Sequence, residues 1–144
     1  MNELIARFRD YAASFKGTDA FCDLNIDLKV EHTMHVLDET RQLCSAEDVD
    51  ARRSRLAEFV ALLHDLSRFE QFRQSGSFND AKSFDHGDRS VELAARDGWV
   101  KTLDHRDAEA VLTAVCWHNK LAVPAGLSPD AALLTRVIRD ADTF

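Results

Sequence analysis

The sequence has 144 residues, of which 45% are hydrophobic and 30% charged, a composition typical of a folded domain and not of a disordered chain. Its formal net charge of −7 argues against nucleic-acid duplex binding, which needs an excess of Lys and Arg. No apolar run reaches the roughly 20 residues of a membrane span, so we expect no membrane partner. The amphipathic start and three cysteines without C-x-x-C spacing indicate a cytoplasmic protein.

The helical period dominates the first half of the chain, and no long polar-apolar alternation suggests a sheet. An apolar stripe over residues 4–15 predicts a first helix, which Gly17 ends. We expect a loop over 19–27 and then a second helix over 28–43. The segment 45–48, Ser-Ala-Glu-Asp, predicts the cap of a third helix, which runs to the His-Asp pair at 64–65.

The second half predicts three further helices. A polar stretch over 73–83 separates the third helix from a fourth at 85–97, closed by Gly98. Asp104 is predicted to cap a fifth helix that reaches His118, and Ser128-Pro129 is a typical start for a sixth. The sequence therefore predicts an all-α fold, with residues 1–144 forming a single helical bundle of about six helices.

Four of the six histidines lie in these helical segments beside apolar residues: His32, His64, His86 and His118. Each one alone is more often a hydrogen-bonded core histidine than a metal ligand. However, His64 and Asp65 directly follow an apolar run, and buried ionisable groups are costly unless they are paired or bind a metal. A further acidic pair, Asp140 and Asp142, ends the last helix. Because imidazoles and carboxylates that converge from different helices are a recurring design of metal sites, the set predicts one.

The ordered pattern His32 … His64-Asp65 … His86 … His118 … Asp142 resembles the HD-domain superfamily of metal-dependent phosphohydrolases. The segments EHTMHV, LLHDLSRFEQF, DHGDRSVEL, WHNK and IRDADTF are similar to the motifs of that family. The similarity covers nearly the whole chain from Leu28 onward, and the combined pattern is far more specific than any single motif.

The resemblance implies a bundle that binds one or two divalent metal ions, with Mn, Fe, Zn and Mg not distinguished. It implies His32, His64, Asp65 and Asp142 as core ligands, with Asp65 able to bridge two ions. His86 and His118 match positions that hold a second ion, face the substrate's phosphate or protonate the leaving group. His35 competes for the first position, but it lies further from the apolar face than His32. Since ligating imidazoles must be neutral, metal binding is expected to weaken as the pH falls through about 6.5.

Binding of an anionic substrate also needs positively charged side chains. Arg68 and Lys120 flank the matched motifs and are the preferred candidates, with Lys82 and Arg89 as weaker ones. The predicted catalytic residues are therefore Asp65, His86, His118, Arg68 and Lys120. Asp85 and Asp140 are weak candidates for orienting the ligating imidazoles.

The resemblance implies hydrolysis of a phosphomonoester or phosphodiester, a small phosphorylated substrate such as a nucleotide, by metal-activated water. Two alternatives stay open: an HD-fold di-iron oxygenase, which has the same ligand order, and a non-catalytic metal-binding regulatory module. Related chains usually have Lys-Leu where this sequence has Thr143-Phe144, and they continue into further helices. We therefore interpret the sequence as a fragment or trimmed domain, truncated at its C-terminal side. The oligomeric state is left open.

Overall fold

The computed structural model describes residues 1–143, so Phe144 lies outside the described residues. This part of the chain forms α-helices, one short 3-10 helix at Asp80–Lys82 and no strand, which confirms the predicted all-α class. The helices are α1 (Asn2–Ala13), α2 (Ala20–Ala46), α3 (Ala51–Leu63), α4 (Arg68–Ser75), α5 (His86–Arg96), α6 (His105–Trp117) and α7 (Pro129–Ala141).

The last three helices begin where the sequence predicts, and Asp104 and Ser128 are the caps that it predicts. The side chains of Asp85, Asp104 and Ser128 each accept a hydrogen bond from the backbone N–H three residues further on. These bonds satisfy donors that a helix start otherwise leaves unpaired. Gly98 follows α5 with a φ of +73°, a left-handed conformation in which a side chain would be strained, so the predicted end of this helix is also confirmed.

Three local predictions are wrong. Residues 19–27 are not a loop, because Asp19 accepts a hydrogen bond from the backbone N–H of Cys22 and starts α2 directly. Residues 45–48 do not cap α3, because α2 continues to Ala46 and the cap is Asp50. The third predicted helix ends at Leu63, and after a turn over 64–67 the chain forms α4, which the sequence analysis did not predict.

Helix α3 is the central element, packed against α2, α6 and α7. Residues 59–63 are almost completely buried, so the turn that follows α3 is also inside the protein. Phe69 and Phe72 on α4 are buried too, and the Phe69 ring packs against Phe8 of α1 with the centroids 5.6 Å apart. Among residues 1–143, no helix has both the length and the hydropathy to cross a membrane. The fold thus places His64 and Asp65 at the inner end of its most buried helix.

Candidate metal centre

Two overlapping groups of imidazoles and carboxylates meet at the end of α3, and within each group the potential ligand atoms all lie within 4.8 Å of one another. Each member is a residue that the sequence analysis predicted as a ligand. The members come from α2, the turn after α3, the start of α5, the turn after α6 and the end of α7. Metal binding by these residues stays a prediction, although the groups could hold a divalent ion. The first group consists of His32, His64, Asp65 and Asp142, and the second of Asp65, His86 and His118.

The first group joins α2, the turn after α3 and the end of α7. The Oδ1 atom of Asp142 lies 2.9 Å from Nε2 of His32 and 3.3 Å from Nε2 of His64. The Oδ2 atom of Asp65 lies 3.5 Å and 3.4 Å from the same two nitrogens. His35, the competing candidate, is exposed to solvent and outside both groups. The structure therefore places the preferred His32, and not His35, at this position.

The second group uses the other oxygen of the same carboxylate. The Oδ1 atom of Asp65 lies 3.4 Å from Nε2 of His86 and 3.8 Å from Nε2 of His118. The two Nε2 atoms lie 3.1 Å from each other. Asp65, which is only 3% exposed, therefore faces each group with one oxygen. This geometry fits a carboxylate that bridges two cations.

Two of the imidazoles are oriented by the helices that they end. His64 follows α3 and His118 follows α6, and their Nδ1 atoms lie 2.7 Å and 2.6 Å from the carbonyl oxygens of Ala61 and Val115. A carbonyl oxygen only accepts, so each Nδ1 must carry the proton and donate it. Nε2 of each ring is thereby turned toward Asp65.

One atom of this centre is an unpartnered buried polar group. Nε2 of His64 is buried and has no hydrogen-bond partner among residues 1–143, although carboxylate oxygens lie 3.3 Å and 3.4 Å away. Buried polar atoms are almost always satisfied, and an orphan indicates a missing ion or ligand. The donor set of imidazole nitrogens and carboxylate oxygens suits a divalent transition metal. The residues present therefore fit the metal that the resemblance implies.

The histidines of the two groups differ in charge at pH 7, since His64 is protonated and His86 is neutral. Burial disfavours a charged His64, but the neighbouring Asp65 and Asp142 outweigh it and raise the pKa of His64 to about 10. Burial would also raise the pKa of Asp65, but His64 and His118 hold it well below its usual range. Burial lowers the pKa of His86 to about 4, against the attraction of Asp65, so this ring is neutral at pH 7. The first group therefore favours a positive charge, and its His64 carries a proton at pH 7 when no metal is bound.

The predicted cations lie close by, but most are already engaged. Arg68 donates from Nη1 to the carbonyl of Phe78 and to Asp80, while its Nε lies 3.6 Å from Oδ1 of Asp65. The ammonium of Lys120 lies 3.0 Å from carboxylate oxygens of both Asp85 and Asp88. A role of Lys120 in phosphate binding stays a prediction.

The weaker cation candidates lie elsewhere, and one cation was missed. Arg89 pairs with Glu70 and Glu92, and Lys82 is exposed. Lys29 was not considered, yet its Nζ lies 3.3 Å from Oδ2 of Asp65 and its side chain is only 19% exposed. The signal was its position three residues before His32, which puts both on one face of α2.

The carboxylate that orients His86 was also missed. Asp80, in the 3-10 helix between α4 and α5, lies 2.7 Å from Nδ1 of His86 through its Oδ2. Neither predicted orienting residue takes this role: Asp85 caps α5 and pairs with Lys120, and Asp140 is exposed beside Arg136. No periodic or motif signal marks Asp80, because it lies in an irregular polar segment.

The sequence comparisons agree with this geometry. The family model described as the HD domain matches residues 30–144, which includes every member of both groups. No curated protein and no solved structure matches the chain significantly. With most of its length matched and the His-Asp groups assembled at its centre, this chain belongs to the HD domain family.

Proposed function

We propose that this protein is a metal-dependent phosphohydrolase that holds two divalent ions through Asp65 and hydrolyses a small phosphomonoester or phosphodiester, with nucleotides among the candidates. The observation that carries the proposal is that the two carboxylate oxygens of Asp65 face different groups. Oδ2 faces His32 and His64, whereas Oδ1 faces His86 and His118. Two-metal phosphoryl-transfer sites need such a shared ligand, since their ions lie about 3.5–4 Å apart.

The chain supplies two sets of ligands for these ions. The first ion would be held by His32, His64, Asp65 and Asp142, and the second by Asp65, His86 and His118. Bound there, divalent cations supply Lewis acidity toward a phosphoryl group and lower the pKa of water toward about 7. The backbone carbonyls behind His64 and His118 hold one proton of each ring on Nδ1, so Nε2 is the nitrogen that can bind an ion.

Lys29 and Arg68 favour an anionic substrate. They approach the two different oxygens of Asp65, at 3.3 Å and 3.6 Å respectively, and both lie over the ring of Phe78. Once cations neutralise Asp65, the ammonium of Lys29 can pair with a phosphoryl oxygen instead, because a flexible ammonium reorients readily. The pair therefore favours an anionic substrate, which phosphoester hydrolysis requires.

A phosphoester screen with matched variants tests the proposal. The protein, purified without chelator and loaded with Mn²⁺, should hydrolyse members of a panel that includes p-nitrophenyl phosphate, bis-p-nitrophenyl phosphate and nucleoside monophosphates. His32→Ala should abolish turnover and remove bound metal, whereas His35→Ala, one turn away on the same helix but exposed, should change neither.

Two results would contradict the proposal and point to the alternatives. A folded protein that retains two irons after aerobic purification and consumes oxygen, while it leaves every phosphoester intact, would favour the oxygenase. A protein that binds metal with no turnover of either kind would favour the regulatory module. Metal content, oxygen uptake and phosphate release measured on one preparation separate the three functions.

A further inference from the structure

The loop between α4 and α5 carries a carboxylate that none of the predicted roles includes. We propose that Asp80 is a positioning residue for the second metal group: it holds the ring of His86 so that Nε2 faces Asp65 and His118, and it thereby sets the metal affinity of that group alone. This inference rests on the proposed two-metal function.

A comparison of the three buried histidines shows why His86 needs such a partner. His64 and His118 each end a helix and donate from Nδ1 to a carbonyl oxygen of that same helix, three residues back. His86 instead begins α5, where no helical carbonyl lies behind it. Oδ2 of Asp80 takes the place of that carbonyl, at 2.7 Å from Nδ1 of His86, and it also accepts from the backbone N–H of His86 at 3.2 Å. One oxygen therefore fixes both the helix start and the ring.

Asp80 is itself held rigidly. Its Oδ1 atom accepts from Nη1 of Arg68 at 3.0 Å and from Nε2 of Gln71 at 2.9 Å, and Gln71 is completely buried. With donors on both oxygens, Asp80 can act toward His86 only as an acceptor, so the proton of the ring stays on Nδ1. The lone pair of Nε2 is left for a metal. Arg68 would then act on the site through Asp80.

The effect should be confined to one metal. Asp80 contacts His86 but no member of the first group, in which Asp142 and His64 have other partners. Loss of a carboxylate behind a ligating histidine typically weakens metal binding about 10–100-fold. We therefore expect Asp80→Asn to lower the affinity for one of the two Mn²⁺ ions by about that factor and to leave the affinity for the other unchanged.

Isothermal titration with Mn²⁺, together with elemental analysis after dialysis, tests this on the whole chain. The control is Asp85→Asn, the same change five residues along the same loop. Asp85 accepts from Lys120, from the side-chain amide of Asn119 and from the backbone N–H of Asp88, but not from the ring of His86. Asn also caps helices well. Asp85→Asn should bind two ions with the wild-type affinities, and Asp80→Asn one ion with wild-type affinity and one weakly.

The outcomes distinguish this inference from the proposed function. If wild type and Asp80→Asn bind two ions with equal affinities, the positioning role is overturned while the two-metal proposal stands. If the wild type binds fewer than two ions, both are overturned. Long-range ¹⁵N–¹H correlation spectra of the wild type keep the test independent of the variant's folding. A His86 ring protonated on Nδ1 supports the inference, and a ring protonated only on Nε2 overturns it.

Discussion

Metal binding at the first group should depend on pH far above the ordinary range of histidine. In the absence of metal, Asp65 and Asp142 raise the pKa of the buried His64 to about 10. A cation must displace that proton from Nε2, since Nδ1 is engaged with the carbonyl of Ala61. A pH of 7.5 lies about 2.5 units below this pKa. Removing the proton at that pH costs about 3 kcal/mol, which lowers the apparent metal affinity roughly 300-fold. The expectation of a transition near pH 6.5 therefore moves upward by several units.

The assay is titration of the metal-free protein with Mn²⁺ under anaerobic conditions at pH values from 7 to 9. The apparent dissociation constant for the ion at the first group should fall roughly 10-fold per pH unit, because one proton leaves for each ion bound there. Repeating the titration in buffers of different ionisation enthalpy counts that proton directly. His86, with a pKa of about 4, should contribute none.

Variants of two histidines separate this explanation from a general effect of pH. His64→Ala should remove the released proton together with metal binding at the first group, whereas His105→Ala should leave both unchanged, since the side chain of His105 is 96% exposed. The raised pKa of His64 can also be checked without metal, from the pH dependence of folding stability. Because the pKa of His64 is raised on folding, its protonation stabilises the fold fully below about pH 6.5, and this stabilisation is lost as the pH rises through about 10. The free energy of unfolding of protein freed of metal by a chelator should therefore fall across this pH range. Affinity independent of pH from 7 to 9, with no proton released, would refute the reasoning.

Three further predictions concern the substrate and the fold. Lys29→Met should lower kcat/KM for a phosphoester about 10–100-fold, as expected for a lost charged hydrogen bond, with Mn²⁺ content unchanged by elemental analysis; unchanged kinetics would exclude this ammonium from substrate binding. Gly87→Ala should lower the melting temperature, because an added Cβ would lie 2.2 Å from Oδ1 of Asn119; an unchanged melting curve would contradict this close approach. Leu134→Ala should cost about 2–5 kcal/mol in urea unfolding, since this side chain is 1% exposed, and the fully exposed Leu121 is the matched control; equal costs at both sites would disprove the assigned core.

The ligand residues could be predicted because their signals are local and ordered. His64 and Asp65 stand out directly after an apolar run, and the spacing of the other histidines matches one family pattern. Helix starts at Asp104 and Ser128 were equally visible, because capping chemistry depends on only a few neighbouring residues. Periodicity and caps therefore give the fold class, and the family pattern gives the members of the two groups.

The parts that could not be predicted depend on long-range contacts. Asp80 lies in an irregular segment, and only the folded chain brings it to His86. Lys29 lies in the predicted second helix, but the contact that gives it a role, 3.3 Å to Oδ2 of Asp65, joins residues 36 positions apart. Arg68 and Lys120 are predicted from their nearness to the motifs in sequence. That nearness does not reveal that Nη1 of Arg68 pairs with Asp80 or that Lys120 pairs with two carboxylates. Ion pairs between different helices decide which Lys and Arg side chains remain available to a substrate, and such pairs cannot be read from neighbouring residues in the sequence.

The first group draws its members from far apart in the chain, and His32 and Asp142 are separated by 110 positions. Such ligands exist as a set only in the native state, so a cation bound there favours folding, by about 2.7 kcal/mol when its free concentration is 100 times the dissociation constant. Scarcity of the metal would then remove stability together with catalysis. Proteases that degrade unfolded chains would make the abundance of this protein follow the supply of its metal.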